Sequence, residues 1–147
     1  MKVDGNLAVD EVHRELGKIV WDKIGMARNE PGLKKALTEI PKIKESFWKN
    51  ILIPGSDKDV NQELEKALRI KDFIELAELM AYDALDRKES CGAHFREEFQ
   101  TDENEAERND EDYKYVAAWD YSEGENPKLF KEQLKYKNVK LKTRSYK

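Results

Sequence analysis

The apolar residues of the first 90 positions recur at steps of three and four, the spacing that places side chains along one face of a helix. The first stripe predicts a helix over about residues 7–28 and consists of Val9, Val12, Leu16, Ile19, Val20 and Ile24. A second stripe consists of Leu33, Leu37, Ile40, Ile43 and Phe47. It follows Pro31, which suits the first turn of a helix because no N–H is needed there. Pro41 lies inside this stripe, and we expect it to kink or split the second helix.

A third stripe is the longest and predicts a helix over about residues 60–87, with Asp59 or Asn61 capping its start. It consists of Leu64, Ala67, Leu68, Phe73, Ile74, Ala77, Met80, Ala81, Ala84 and Leu85. Because this apolar face is wide, we expect it to pack against both other helices. Three helices of about 20 residues with short connections predict an all-α fold, an antiparallel three-helix bundle similar to a spectrin repeat.

The remaining third of the chain has a different pattern. Residues 97–112 hold nine acidic residues and one basic residue, Arg108, which predicts a solvated stretch without regular structure. Residues 113–121 are aromatic and β-prone, and Gly124 and Pro127 break this run. Residues 128–147 hold eight basic residues and one acidic residue, and their apolar positions are expected to be extended: Leu134, Tyr136, Val139 and Leu141.

We therefore expect a bundle and a polar segment over residues 1–96. Residues 97–147 are expected to form an acidic loop and an extended, partly β basic tail, packed on the same domain. A chain of 147 residues is one domain's worth and is too short for a cofactor-binding fold beside a separate substrate domain.

Composition excludes several classes of function. The formal net charge is −4, whereas a general nucleic-acid binder needs a basic footprint, so we expect no nucleic-acid partner. The longest apolar runs are far shorter than the roughly 20 residues that span a bilayer, so we expect no direct membrane insertion, and no signal-peptide core is visible at the N-terminus. The single cysteine, Cys91, cannot form an internal disulfide, which favours a reducing, cytoplasmic compartment.

The two histidines and the cysteine allow several interpretations. His13 lies on the first predicted helix beside its apolar stripe, where a structural role is the default. Cys91 and His94 form a C-x-x-H pair that could supply two zinc ligands, but nothing points to the other two. The same pair could act as a nucleophile and its base, although no third orienting group is visible. The sequence contains no phosphate loop and no dinucleotide fingerprint.

Charged and polar residues are densest directly after the third predicted helix. Gly92 is expected to supply a left-handed turn, and Arg87 and Arg96 can form bidentate pairs with carboxylates. Ser90 and His94 can satisfy backbone groups at a chain reversal. This segment is either a hinge that docks the tail onto the bundle or a surface that packs against another domain's active site, and the residues alone favour the hinge.

The residues of this segment also carry a resemblance. They stand as R-x-E-S-x-G-A-H-x-R, formed by Arg87, Glu89, Ser90, Gly92, Ala93, His94 and Arg96. The pattern resembles one that follows a long helix in the C-terminal helical domain of succinate dehydrogenase and fumarate reductase flavoprotein subunits. The stretch 108–112, the first helix and residues 134–146 are also similar to that family, so the resemblance covers nearly the whole chain. The family usually has arginine where Cys91 stands here, which puts in doubt any contact that this arginine makes.

The resemblance implies an intact subunit that holds FAD, usually linked through a histidine, and converts succinate to fumarate by hydride transfer to the flavin. Its implied partners are the upstream FAD-binding and capping domains of the same subunit and an iron–sulfur subunit that passes electrons to quinone. The resemblance also implies a cytoplasmic localisation, peripheral to the inner membrane as part of the intact complex. The direction in which the intact enzyme runs is left open.

None of the family's flavin-binding or substrate-binding residues maps onto this sequence. We therefore expect no catalytic, cofactor-binding or metal-binding residue in this chain, and no activity from the chain alone. Its candidate inter-domain docking motif consists of Arg87, Glu89, Ser90, Gly92, His94 and Arg96. A free-standing helical protein-interaction module is the competing interpretation, and a metal-dependent enzyme using Cys91 and His94 is a third.

Overall fold

Three long helices form the body of the protein in a computed structural model that describes residues 3–56, 58, 60–120 and 126–142. They are α1 (Val9–Ile19), α2 (Glu30–Asn50) and α3 (Gln62–Asp86). Each helix contacts the other two, and their inward faces share one apolar core that includes Leu16, Phe47 and Ile74. The predicted all-α bundle is therefore confirmed, and α3 packs against both other helices as expected.

The first helix differs from its prediction at both ends. Leu7–Ala8 form a short strand, β1, and α1 continues past Ile19 into a π-helical turn over Val20–Ile24. The wider turn buries Ile24 and leaves Trp21 83% exposed. Gly25 follows this turn so closely that an added Cβ atom would lie 2.4 Å from the Trp21 carbonyl oxygen, so glycine is required there.

The second helix continues through Pro41, so of the two expected effects, a kink or a split, the split is wrong. Pro41 lies on the exposed face of α2. Because proline has no N–H, the carbonyl group four residues earlier receives no hydrogen bond from it, and on this face water can supply one instead. Ile40 and Ile43 on either side are buried and hold this turn against the core. The Asn29 side chain caps the start by accepting a hydrogen bond from the Gly32 N–H at 2.8 Å.

The third helix begins where one of the two predicted caps stands. The Asn61 side chain accepts a hydrogen bond from the Leu64 N–H at 3.1 Å, and Asp59 lies outside the described residues. The helix then runs without interruption to Asp86. The alanines at 67, 77, 81 and 84 are buried along it, which allows close approach of the neighbouring helices.

Six short strands pair into three two-stranded sheets in the described part of the chain. Strand β1 pairs in parallel with β3 (Ile51–Leu52), and β2 (Ala27–Arg28) pairs in parallel with β4 (Phe95–Arg96). Strands β5 (Tyr115–Asp120) and β6 (Lys128–Gln133) form an antiparallel pair in which Tyr115 faces Gln133. The expected β structure of the tail is thus present, but β6 ends at Gln133, before the predicted extended positions that follow it. Gly124 lies outside the described residues.

The β5–β6 pair is fixed to the C-terminal half of α3. The Trp119 Nε1 donates to the Asp83 carboxylate at 2.7 Å, and the Tyr115 hydroxyl lies 3.3 Å from the Asp86 carboxylate. Lys131 pairs with the same Asp86 at 3.6 Å. The strands therefore lie against the helix rather than apart from it.

The acidic stretch has more structure than its charge predicts. Gln100 and Ala106 form an isolated β-bridge, and the Thr101 N–H donates to the Glu105 carbonyl at 2.9 Å. A four-residue helix, α4 (Asp110–Tyr113), follows, capped by the Asn109 side chain. Residues 97–109 thus lack helix and extended strand, as expected, and the expectation fails at α4, where the Asn109 cap supports a helical turn.

None of the helices in the described ranges has the length and hydrophobicity that crossing a bilayer requires.

Candidate functional site

Arg96 is the centre of the segment after α3, and only 1% of its surface is exposed. Its Nη1 donates to the carbonyl oxygens of Ala84 at 2.8 Å and Leu85 at 3.4 Å. These carbonyls lie in the last turn of α3, where backbone acceptors have no partner within the helix. A cation there also suits the negative end of the helix dipole. Arg96 therefore caps α3 from inside the protein.

Glu98 connects Arg96 to the start of α2. Its Oε2 accepts from Arg96 Nε at 3.0 Å, and its Oε1 accepts from the backbone N–H of Glu30 at 2.5 Å. Glu30 is the first residue of α2, where free N–H groups favour negative charge. Desolvation acts to raise the pKa of Glu98, but hydrogen bonds from backbone N–H groups and from Arg96 outweigh it, so the pKa lies below its usual value. The pair thus links the end of α3 to the start of α2.

Ser90 closes the turn that brings Arg96 back to α3. Its Oγ accepts from the Arg96 N–H at 2.8 Å and donates to the Arg96 carbonyl at 3.1 Å. Within this turn, Cys91 and His94 exchange two backbone hydrogen bonds of 2.8 and 3.0 Å. Gly92 has φ +60°, which confirms the left-handed turn expected of it. The expected role of Ser90 at a chain reversal is also confirmed.

His94 uses both of its ring nitrogens. Nε2 lies 2.9 Å from the carbonyl oxygen of Arg87, and Nδ1 lies 3.5 Å from Arg28 Nη1. A carbonyl oxygen can only accept, so Nε2 carries the proton and Nδ1 accepts from the guanidinium. Burial lowers the pKa of His94, the Arg87 carbonyl opposes this, and nearby arginines lower it further. The ring is therefore held neutral.

Arg87 and Glu89 join the segment to the tail. Arg87 Nη1 donates to Glu89 Oε1 at 2.7 Å and to the Tyr113 carbonyl at 3.1 Å. Arg87 Nη2 lies 3.3 Å from the Tyr115 carbonyl oxygen. Arg87 Cζ lies 4.9 Å from the centre of the Tyr115 ring. The other oxygen of Glu89, which is buried, accepts from the Asn109 N–H at 2.8 Å. The pair therefore ties the segment after α3 to residues 109–115.

Cys91 lies at the tip of the turn and is exposed. Although the residue is exposed overall, partial desolvation of its thiol and the nearby Glu89 carboxylate raise the pKa of Cys91, so the thiolate is disfavoured. With both His94 nitrogens engaged elsewhere, this arrangement provides neither an activated nucleophile nor a ring nitrogen for a metal. In the described part of the chain, no group of three or more His, Cys, Asp or Glu side chains is placed to hold a metal ion.

The structure brings together all six residues of the candidate docking motif. Glu89, Ser90 and Arg96 are buried, whereas the exposed tip consists of Cys91, Gly92 and Ala93. His13, the other histidine, is exposed on α1 and lies apart from this segment, with its ring 6.1 Å from that of Phe73.

The docking-motif residues and the residues that bond to them join α2, α3 and the tail, and we call this cluster the junction. Sequence reasoning missed three of its residues: Arg28, Glu98 and Asn109. Arg28 is positioned by its strand pairing with Arg96 and donates to the Gly25 carbonyl at 3.1 Å. The contact of Arg28 with His94 and that of Glu98 with the Glu30 N–H join residues 66 and 68 positions apart in the sequence, which periodicity does not reveal. The local sequence does indicate Asn109 as a helix cap, because an asparagine before three acidic residues is typical of a helix start.

Comparison with known proteins identifies the family. The family described as "Fumarate reductase flavoprotein C-term" matches residues 13–146, which is most of the chain. This chain belongs to that family. The suspected resemblance to the C-terminal domain of succinate dehydrogenase and fumarate reductase flavoproteins is thereby confirmed.

Individual relatives agree with this assignment. An uncharacterized FAD-dependent oxidoreductase of Methanocaldococcus jannaschii is 38% identical over 95 residues, or 65% of this chain and 16% of the relative. A fumarate reductase flavoprotein subunit of Helicobacter pylori is 30% identical over 131 residues, or 89% of this chain and 18% of the relative.

A solved structure shares the fold. A chain of a quinol–fumarate reductase with menaquinol molecules matches 93% of this chain with a TM-score of 0.78 and 24% identity. The match occupies 23% of that larger chain. The chain therefore spans about a fifth of the length of the flavoproteins it matches.

Proposed function

We propose that this chain is the C-terminal structural domain of a flavoprotein subunit that interconverts succinate and fumarate. The observation that carries the proposal is the family match over residues 13–146. The geometry is consistent with it, because the residues of the motif are engaged in joining α2, α3 and the tail. Within the motif segment, the exposed tip at Cys91, Gly92 and Ala93 is then the part that can contact a further domain.

The residues that the structure describes do not fit a flavin nucleotide by themselves. A dinucleotide pyrophosphate needs a glycine-rich turn that leads directly into a helix with free N–H groups. The glycines with left-handed backbone in the described ranges are Gly55 and Gly92. Gly55 precedes α3, but the first turn of that helix is capped by Asn61, and Gly92 follows α3 rather than leading into a helix. We therefore place FAD in the intact subunit and none in this domain.

The proposed partners follow from the same assignment. They are the FAD-binding and capping domains earlier in the same polypeptide, and an iron–sulfur subunit that carries electrons to quinone. The intact complex would lie peripheral to the inner membrane on the cytoplasmic side. The rates of succinate oxidation and fumarate reduction by the whole polypeptide distinguish a succinate dehydrogenase from a fumarate reductase.

The test compares the 147-residue chain with the whole polypeptide encoded by its reading frame. We expect the chain alone to be colourless and inactive. We expect the whole polypeptide to contain FAD, to reduce fumarate with a reduced dye and to oxidise succinate with an artificial acceptor; the ratio of the two rates gives the preferred direction.

Three outcomes would contradict the proposal. Flavin or activity in the isolated chain would overturn its structural role. A reading frame without flavin-binding sequence before this domain would favour a free-standing interaction module. Stoichiometric zinc in the purified chain would favour a metal-dependent enzyme.

A further inference from the structure

An open groove runs between α1 and α3. Near the start of both helices, Asp10 and Lys66 bridge the gap with their charged groups 3.8 Å apart. The rings of His13 and Phe73 then face each other at 6.1 Å. Beyond this point the helices leave a groove of about 210 Å³, which we call the α1–α3 groove.

The walls of the α1–α3 groove are apolar and exposed. Phe73 is 41% exposed, Leu76 is 54% exposed and Met80 is 42% exposed, all on α3, and Val20 lines the α1 side. The three α3 residues stand at steps of three and four, so they continue as one stripe beside the buried face. An exposed, contiguous apolar stripe marks an interaction surface more often than isolated apolar residues do, and methionine adapts its shape to an apolar partner.

Gly17 gives an independent indication of a partner. It lines the same groove in the last turn of α1, which continues into the π-helical turn, so it lies inside a helical segment where glycine is destabilising relative to alanine. An added Cβ atom would meet no heavy atom within 4 Å. Packing within the chain therefore does not require glycine there. A segment that approaches the α1 backbone closely from outside would require it.

We infer that the α1–α3 groove receives an apolar helix from the part of the same polypeptide that lies outside this domain, an inference that rests on the proposed function. A groove between two helices accepts the apolar face of a third, with a small residue at the point of closest approach. The occupant comes from the same polypeptide because this chain covers only 16–23% of the proteins it matches. Most of each matched polypeptide therefore lies outside this domain and provides a large surface to cover the groove.

Hydroxyl-radical footprinting read by mass spectrometry tests this inference on native side chains. The modification rates of Leu76 and Met80 are compared between the isolated chain and the whole polypeptide. We expect both rates to fall several-fold in the whole polypeptide. Leu68 is the matched control, because it is 52% exposed on the same helix and does not line the groove; its rate should change less than twofold.

A pair of variants tests the same contact energetically. Leu76→Lys and Leu68→Lys place the same charge at equally exposed positions of α3, so both should leave the thermal unfolding of the isolated chain nearly unchanged. In the whole polypeptide, only Leu76→Lys should restore the fast modification of Met80 and lower the midpoint of thermal unfolding.

The outcomes separate the failure of this inference from that of the proposed function. A whole polypeptide that contains FAD and converts succinate and fumarate, but leaves Leu76 and Met80 as reactive as in the isolated chain, overturns the inference alone. Protection in the isolated chain that rises with its concentration assigns the groove to a second copy and also overturns it. A polypeptide that contains no flavin overturns both.

Discussion

Arg96 Nε and Glu98 Oε2 lie 3.0 Å apart, and this pair joins the ends of two helices. The arginine donates to carbonyls at the end of α3, and the glutamate accepts from the first N–H of α2. Each charge therefore faces the helix end whose dipole it complements. The segment after α3 thus fixes the geometry of the bundle from within.

Replacing Arg96 tests this junction. Arg96→Lys keeps the charge but loses the planar fork that reaches both α3 and Glu98. Because the site is buried, we expect the free energy of unfolding to fall by about 3 kcal/mol, measured by urea denaturation. The control is Arg69→Lys, which alters an exposed pair with Glu65 on α3 and should cost less than about 1 kcal/mol. Equal effects of the two variants would contradict the assigned role of Arg96.

Ser90 offers a smaller test of the same turn. Ser90→Ala removes the hydroxyl that bonds both the N–H and the carbonyl of Arg96 and leaves buried backbone groups unpaired. We expect a loss of about 1–3 kcal/mol in urea denaturation. Ser46→Ala, on the exposed face of α2, should stay within about 0.5 kcal/mol of the unsubstituted chain. A Ser90→Ala variant as stable as that control would show that water replaces the hydroxyl.

The helices could be predicted because their apolar residues repeat with the helical period. Asn61 was also predictable as a cap, since a short polar side chain before an apolar stripe satisfies the first N–H groups. The effect of Pro41 could not be predicted, because it depends on whether the carbonyl group four residues before the proline faces water or the core. The π-helical turn at Val20–Ile24 leaves no mark in the stripe, which simply continues to Ile24.

The junction was only half predictable. Ser90, Gly92 and His94 act on nearby backbone, so their chemistry and spacing indicate a turn. Arg28 and Arg96 become neighbours through a parallel strand pair between segments far apart in the sequence. Partners at that separation follow from the packing of the helices, which local patterns do not encode.

His94 predicts a pH dependence of stability. Its pKa is lower in the folded chain than the usual histidine value of 6.5, so the unfolded chain binds more protons between these two values. Stability therefore falls as the pH drops below about 6.5 and stops falling, for this group, below the folded pKa. Glu98 adds a separate loss at lower pH, as the pH falls through its own lowered pKa.

Urea denaturation at a series of pH values from about 8 to 5 checks this expectation. His94→Gln removes the titrating group, so the slope of stability against pH over this range should decrease. His13→Gln, at an exposed position on α1, is the matched control and should keep the slope. A His94→Gln variant with an unchanged slope would assign the pH dependence to other groups.

Two glycines with equal space around them should respond to alanine in opposite directions. An added Cβ atom meets nothing within 4 Å at Gly17 or at Gly92, but Gly92 has φ +60° and Gly17 lies inside α1. Gly17→Ala should therefore raise the unfolding free energy of the isolated chain by about 0.5–1 kcal/mol. Gly92→Ala should lower it by about 1–2 kcal/mol, since a side chain is strained in the left-handed region. Thermal and urea unfolding of the two variants give the comparison, and a destabilised Gly17→Ala chain would mean that the groove beside α1 is less open than the structure has it.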